Sequence, residues 1–344
     1  METENKLILD FLKKVSPGTP LRIVIDDLLR SNMGALIVFN SPELEPIIDG
    51  GFKVNCAFSA QRLFELCKMD GAVIISPELD KILYANVLLT PDFTISTSET
   101  GTRHIAGERT AKQANTPVIA VSERRRKTTL FFPKSKQYLR GLDEILREVT
   151  SSLQVLDEQR ELLDEAVSKL TILEMSGLVS VSDVCKVIQR ADIMLRISDS
   201  IKKYFTELGT QGSILNLRYK ELLRGIEKLK DFVIRDYSAM PLQKTNTLIS
   251  NITFEGLLDL DAIALLLLEK KPEENVMPKG FRFFSYLNID EKEVSQLVDS
   301  LISLNKIFNA SAEELDKILA GKGEKLKQDI DDLREQILSG KVIF

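Results

Sequence analysis

From Leu21 to about Phe132 the chain alternates short apolar runs with amphipathic stretches. The runs, rich in Val and Ile, are Ala35–Phe39, Ala72–Ser76, Ile82–Leu88, Val118–Ser122 and Thr128–Phe132. Apolar runs of this length, bounded by turn residues, predict strands. Between them, Leu21–Arg30, Ser59–Lys68 and Thr102–Ala114 predict helices. Gly and Pro mark the joints at Pro17-Gly18, Gly50-Gly51, Pro77, Pro91, Gly101 and Pro117. Strands alternating with helices predict an α/β domain over residues 1–140, a mixed sheet with flanking helices.

From about Tyr138 the texture changes. Gly and Pro become rare between Gly141 and Leu268, and the apolar period turns helical, as in Leu142, Ile145, Leu146, Val149, Leu153 and Leu156. Val184, Val187, Ile188, Ala191 and Leu195 repeat it, with Gly177, Gly209 and Gly212 as turn points. Residues 141–276 therefore read as an all-α helical spine, with structural support and oligomer contact as its expected role. In residues 277–344 shorter helical pieces follow: Leu297, Leu301, Leu304 and Ile307 mark one. Leu315, Ile318 and Leu319 lead into Gly321-Lys322-Gly323 and a helix from Glu324, the shape of a helix-hairpin-helix.

At 344 residues the chain is long enough for two or three domains. Its net charge of −5 gives no global attraction to nucleic acid or anionic membrane, so any phosphate binding must be local. Cys56, Cys67 and Cys185 are few and not spaced as metal ligands, which predicts reduced thiols. Met1–Asp10 has no signal-peptide pattern, and the longest aliphatic stretch, Ala262–Leu268, is too short to span a bilayer. A cytoplasmic location without membrane contact is expected.

Three clusters carry candidate chemistry. Asp70-Gly71-Ala72 stands at the entry to an apolar run, where a carboxylate suits Mg²⁺ or Mn²⁺ and small neighbours let backbone approach a ligand; alone it reads equally as a turn before a strand. Glu99-Thr100-Gly101-Thr102-Arg103-His104 opens a predicted helix whose free amides and dipole favour an anion. There Arg103 adds a forked donor, and His104 is the one histidine of the chain. A lone His also serves structure. Arg109 and Lys112, further along that helix, read as solvated or structural. Ser122-Glu123-Arg124-Arg125-Arg126 follows the strand Pro117–Val121, at the carboxyl end where α/β sheets bind ligands, or as a solvated hairpin. A phosphate-binding P-loop, a Gly-x-Gly-x-x-Gly after a strand, zinc-ligand spacing and a nucleophile elbow are all missing, which disfavours those classes.

The succession Ser16-Pro17-Gly18-Thr19, Gly34-Ala35-Leu36-Ile37, Gly50-Gly51-Phe52, Phe58-Ser59-Ala60, Lys68-Met69-Asp70-Gly71-Ala72, Tyr84-Ala85-Asn86-Val87 and Glu99-Thr100-Gly101-Thr102-Arg103-His104 resembles the diadenylate cyclase domain of the DNA integrity scanning family. The likeness covers roughly the first 140 residues in one register, and the order of cyclase domain, helical spine and helix-hairpin-helix fits as well. The resemblance implies a nucleotidyltransferase that condenses two ATP into cyclic di-AMP and two pyrophosphates. Each 3′-hydroxyl would attack the α-phosphate of the other ATP across facing domains of a homo-oligomer, an octamer in such proteins, with Mg²⁺ or Mn²⁺ as cofactor. Carried over by position, Asp70 would serve the metal and the attacking hydroxyl. Gly71 and Ala72 would line the nucleotide, and Thr102, Arg103 and His104 would hold phosphate. Ser122, Arg124 and Arg125 would grip the triphosphate. Asp70, Arg103 and His104 are the expected catalytic residues, and Gly321, Lys322, Gly323 and Lys325 the expected contacts to branched DNA.

Two residues depart from the family pattern. Ile105 stands where a second Arg follows the His, and Glu123 intrudes after Ser122. Losing one charged phosphate contact takes ~10²–10³ from a rate unless another group compensates, and Arg109, one turn on, is the candidate. The C-terminal module departs too. Lys322 takes the middle of the hairpin, where a hydrophobic residue is usual, and Glu313, Glu314, Asp316, Asp329, Asp331 and Asp332 surround it. That is a poor footprint for DNA and equally suits a helical assembly module. The alternative is therefore a weakened cyclase fold that binds nucleotide, DNA junctions or both as a sensor or scaffold.

Overall fold

The computed structural model describes residues 2–340, with side chains from residue 8 onward. It falls into two compact units: one runs up to Val149 and takes in Lys203–Leu215, the other holds Thr150–Lys202 and the chain from Asn216 on.

The first unit contains α1 (Glu2–Lys14), α2 (Pro20–Arg30), β1 (Ala35–Phe39), a 3₁₀ turn at Pro42–Ile47, β2 (Ile48–Asp49), β3 (Phe52–Ala57), α3 (Ala60–Leu66), β4 (Ala72–Ile75), β5 (Lys81–Leu89), α4 (Thr102–Gln113), β6 (Val118–Ser122), β7 (Lys127–Phe131) and β8 (Lys136–Leu139). The strands order β2-β5-β4-β1-β6-β7-β8, and β3 also pairs with β5. β1 and β4 are parallel, with Leu36 opposite Ala72. β6 runs antiparallel to β1, with Ala35 opposite Val121, and β5 antiparallel to β4, with Val87 opposite Ala72. The sheet is mixed, as expected.

Alternation along the strands feeds two cores. Ile37, Phe39, Ile119, Val121 and Leu130 pack with Phe11, Leu21, Ile25, Leu28 and Leu63 of α1, α2 and α3. Leu36, Val38, Ala120 and Phe131 pack on the other face with Ala111 and Ala114 at the α4 end and with Leu44 and Ile47. All five residues of β1 are buried because both faces are covered, which is why the strand reads as a continuous apolar run.

The helical region begins with α5 (Leu142–Ser176) and α6 (Val181–Leu208), which contribute to both units. Gly177, at φ +69, closes α5, and a 3₁₀ turn at Gly209–Gly212 follows α6. Then come α7 (Ser213–Leu222), α8 (Ile226–Tyr237), α9 (Leu242–Asn251), α10 (Phe254–Leu258), α11 (Leu260–Leu268), α12 (Phe281–Phe284), α13 (Glu291–Leu301), α14 (Leu304–Asn309), α15 (Ala312–Ile318) and α16 (Gly323–Leu338). The single piece expected across Leu297–Ile307 is two helices. Ile302 breaks it in the left-handed region, at φ 68. Phe283, Phe284, Leu297, Leu304, Ile307, Leu315, Leu326, Ile330 and Leu333 form the core of this part.

Where the sequence shows no concentration of reactive side chains, the second unit hides a buried polar cluster. The Asp236 carboxylate accepts from the amides of Gly280, Phe281 and Arg282 at 2.7, 2.6 and 3.0 Å. The Arg282 guanidinium donates to Thr171 Oγ1 at 3.0 Å and pairs with Glu174, which also accepts from the Tyr237 hydroxyl. Among the described residues no helix is long and apolar enough to cross a membrane.

Candidate functional site

Strand register assembles the site. Because β1 and β4 are parallel while β5 and β6 oppose them, the residues just before Ala35, those just before Ala72 and those just after Val121 share one end of the sheet. Gly34, Asp70-Gly71 and Ser122–Arg126 therefore meet there. For β6 this is a carboxyl end, as expected of its arginines. For the central strands β1 and β4 it is the amino end, since the carboxyl-end rule describes parallel sheets and this one is mixed.

Asp70 is exposed in the turn between α3 and β4. Gly71 holds φ +89, and a Cβ there would lie 2.7 Å from the Val87 carbonyl oxygen and 2.9 Å from the Asn86 carbonyl carbon. Only glycine lets this turn close on β5, and that closure sets the height of Asp70 and of buried Ala72.

The start of α4 reaches the same end. Arg103 folds over Gly34 so closely that a Cβ on Gly34 would meet its Nη1 and lie 2.9 Å from its Cζ. The guanidinium also opposes the rise of the nearby Cys67 thiol, which burial pushes up to about 12. Gly101 is the N-cap of α4 and carries no capping side chain. The first intrahelical bond runs from the Ile105 amide to the Gly101 carbonyl at 2.8 Å, so the amides of Thr102, Arg103 and His104 lie ahead of the ladder as donors at the positive end of the dipole.

His104 is buried, 8% exposed, and its ring stands edge-on to Phe131 at 6.1 Å. Burial lowers its pKa below 6.5; Glu99 opposes that, and Arg125, Arg103 and Lys136 reinforce it. At neutral pH it is an uncharged donor and acceptor, which fits a fixed contact to an oxygen.

The β6–β7 hairpin closes the site. Ser122 Oγ accepts from the Arg125 amide at 3.2 Å, and Arg125 Nη2 donates to Thr100 Oγ1 at 3.1 Å. Arg124 is exposed in the turn. Thr102 is exposed one residue into the helix. The register thus brings the Asp70, Thr102–His104 and Ser122–Arg125 clusters to a single edge.

Two further side chains belong here: Glu99, part of a sequence cluster but given no contact of its own there, and Lys136, which the sequence does not single out. The Glu99 side chain, 4% exposed, accepts from Lys136 Nζ at 2.6 Å and faces Arg125 Nη1 at 3.8 Å. Lys136 also donates to Ser98 Oγ at 2.6 Å, and its pKa rises because of the Glu99 hydrogen bond. No local signal marks Lys136, because its partner lies 37 residues away. Arg109 does not reach the edge. Its Nε donates to the Ile95 carbonyl at 2.9 Å, while Lys112 Nζ reaches the Ser96 carbonyl at 2.8 Å and Glu108 accepts from Thr97 Oγ1 at 2.6 Å. These three clasp the loop that carries Glu99 to the flank of α4, so Arg109 does not replace the arginine missing at Ile105.

In the C-terminal hairpin the Lys322 amide donates to the Leu319 carbonyl at 3.1 Å and the Gly323 amide to Asp316 Oδ1 at 2.9 Å. Lys322 Nζ pairs with Glu293 at 2.5 Å. Gly321 holds φ +79, and Lys325 is exposed.

Fold and site define an α/β domain whose mixed sheet gathers a carboxylate, several arginines and a helix start at one end, joined to helices. Comparison with known proteins places it further. Residues 22–135 match the family model described as the DisA bacterial checkpoint controller nucleotide-binding domain, and residues 139–275 match the DisA linker region. The chain is 39% identical over 337 residues to the DNA integrity scanning protein DisA of Bacillus subtilis, covering 94% of this chain and 93% of that one. It is 36% identical over 327 residues to the protein of that name from Acetivibrio thermocellus, covering 92% and 90%. With the one from Carboxydothermus hydrogenoformans it shares 37% over 339 residues, covering 94% and 96%. The chain belongs to the DisA family.

Proposed function

We propose that this protein is a diadenylate cyclase that condenses two ATP into cyclic di-AMP and releases two pyrophosphates. The observation that carries the reading is the convergence of Asp70, the α4 start and the Ser122–Arg125 hairpin on one sheet edge, within a family whose matching domain is described as nucleotide-binding. In this reading the free amides of Thr102–His104 and the guanidinium of Arg103 hold phosphate oxygens. His104 contributes a neutral contact. Ser122, Arg124 and Arg125 grip the triphosphate, with Arg125 oriented beforehand by Thr100 and Glu99. Gly71 and Ala72 present backbone to the nucleotide.

Asp70 would hold Mg²⁺ or Mn²⁺, which supplies charge neutralisation of the phosphates and polarisation of the 3′-hydroxyl. The donor set fits. Among the described residues no group of three His, Cys, Asp or Glu gathers, and a hard cation that shares one carboxylate with substrate phosphates needs none. In this reading each domain holds one nucleotide, so the second ATP comes from a facing copy, in the octamer the resemblance implies. The division into cyclase domain (1–140), spine (141–276) and helix-hairpin-helix module (277–344), and the response of that last part to branched DNA through Gly321, Lys322, Gly323 and Lys325, belong to the same proposal.

The test is direct. Purified protein is incubated with ATP and Mn²⁺ or Mg²⁺, and cyclic di-AMP is sought by chromatography and mass. Product is expected, and Asp70→Asn, an exposed change, should abolish it with an unchanged melting temperature. Full activity in that variant refutes the site.

A second reading has its own observation. Ile105 offers no charge and Arg109 is engaged at Ile95, so turnover is weakened while nucleotide binding persists. Ile105→Arg should then raise turnover by ~10-fold or more, since one charged contact is worth ~10²–10³ at its best. An unchanged rate removes Ile105 as the lesion.

A further inference from the structure

On the sheet face that carries α2, a cavity of about 390 Å³ opens beside the β7–β8 pair, lined by Arg22, Asp26, Arg126, Lys127, Thr128 and Glu144 among others. Its size falls at the lower end of the range that takes small molecules, roughly 300–1,000 Å³. Of the strand-end residues only Arg126, to which the cyclase reading gives no contact, also lines it, and α4 covers the opposite face of the sheet.

Three features mark it as built for a ligand. Thr128 is 1% exposed, and its Oγ1 has no hydrogen-bond partner among the described residues. A buried hydroxyl left unpaired is unfavourable, and a polar ligand group would satisfy it. Arg22 is 3% exposed and fixed in place, its Nε donating to Asp26 Oδ1 at 2.9 Å and its Nη2 to the Arg140 carbonyl at 3.0 Å. Arg126 and Lys127, exposed at the hairpin and carrying no ion pair among the described residues, add two cations to the lining. Asp26 and Glu144, also in the lining, offer carboxylates that accept hydroxyl donors.

Cations beside carboxylates and a lone hydroxyl suit a ligand that is anionic at one end and hydroxylated at the other. We propose that this cavity binds a small phosphate monoester of a sugar or nucleoside. The phosphoryl group meets Arg126 and Lys127, Thr128 Oγ1 donates to a phosphate oxygen, and the sugar hydroxyls donate to Asp26 and Glu144.

Calorimetric titration of the full chain with inorganic phosphate, ribose 5-phosphate and adenosine 5′-monophosphate tests this. One of the two esters should bind at least tenfold more tightly than inorganic phosphate. The double change Arg126→Gln with Lys127→Gln should weaken that ester at least tenfold. Thr128→Val should weaken it several-fold while holding or raising the melting temperature, because the valine removes an unpaired buried hydroxyl without changing shape. Arg103→Gln, at the strand-end site, should leave it unchanged. Absence of ester binding at millimolar concentration overturns the proposal. So does binding indifferent to both cavity variants, or binding lost in Arg103→Gln, which would put the ester at the strand ends instead.

Discussion

Replacing Gly34 by Ala isolates one positional feature of the site. Gly34 lies outside the left-handed region, so its backbone tolerates alanine. The new Cβ would stand 2.9 Å from Arg103 Cζ and nearer still to Nη1, where ordinary contact begins at 3.4 Å. The obstructing atoms are the far end of a flexible side chain, so the guanidinium yields and the fold does not. Stability should hold or rise by about 0.5 kcal/mol, through the lower entropy of the unfolded chain. The guanidinium moves on the order of 1 Å, and a misplacement of that size takes ~10² from a rate that depends on alignment. That loss corresponds to about 2.7 kcal/mol of transition-state stabilisation. The assay is cyclic di-AMP formation at saturating ATP, with ATP affinity as a readout independent of turnover and a thermal melt as the fold control. Gly34→Ala with normal melting, ~10²-fold slower turnover and weaker ATP binding is the expected result. Wild-type rate and affinity would show that Arg103 does not serve phosphate from its place over Gly34, and the α4-start assignment would fall with it.

Two stability predictions follow from the second unit. Ile302 is 64% exposed at φ 68, a conformation that costs a non-glycine residue roughly 1–2 kcal/mol, so Ile302→Gly should raise the melting temperature by about 2–4 °C; an equal or lower value would mean the side chain's packing outweighs the strain. Asp236→Ala removes the acceptor of three backbone amides, so urea unfolding should show a loss of about 3 kcal/mol or more. A loss under about 1 kcal/mol would mean that the amides of residues 280–282 find other partners.

Sequence pattern revealed the fold wherever elements are buried on both faces. β1, β4, β6 and β7 coincide with apolar runs because α1–α3 cover one side of the sheet and α4 the other, whereas β5 mixes buried with half-buried and exposed residues and reads through its apolar side chains alone. What escaped was peripheral. β3 shows no buried position, β8 alternates exposed and half-buried residues, and β2 is two residues long, so none leaves an apolar run to read. α1 mixes charged and apolar residues without a clear run, and among its described side chains Phe11 and Leu12 join the core while Ile8 packs against it. The break at Ile302 could not be read either, because a β-branched residue predicts anything but a left-handed stop.

The candidate site was legible where its donors are contiguous, at Glu99–His104 and Ser122–Arg126, and illegible where it depends on register. Gly34 acquires meaning only once β1 lies between β4 and β6 and Arg103 folds onto it. Lys136 acquires it only once β8 returns beside β7. Arg109 shows the reverse error, since one-turn spacing suggested a second phosphate contact and tertiary structure spent the side chain on Ile95.

These placements also explain how an edge with so many cations stays stable before any phosphate arrives. The Glu99 carboxylate, nearly sealed from water, holds Lys136 and lies near Arg125, so two of the cations are already compensated. Burial and the neighbouring cations keep His104 neutral, which adds no further repulsion. Arg103 and Arg124 carry no such counter-charge among the described residues, and Arg103 stands in the first turn of α4 beside its free amides. Under the cyclase proposal an incoming polyphosphate would meet two unclaimed guanidinium groups and a helix dipole. It needs to disrupt no existing ion pair to engage them. Arg125, already aimed by Thr100, can then add its contact at little conformational cost.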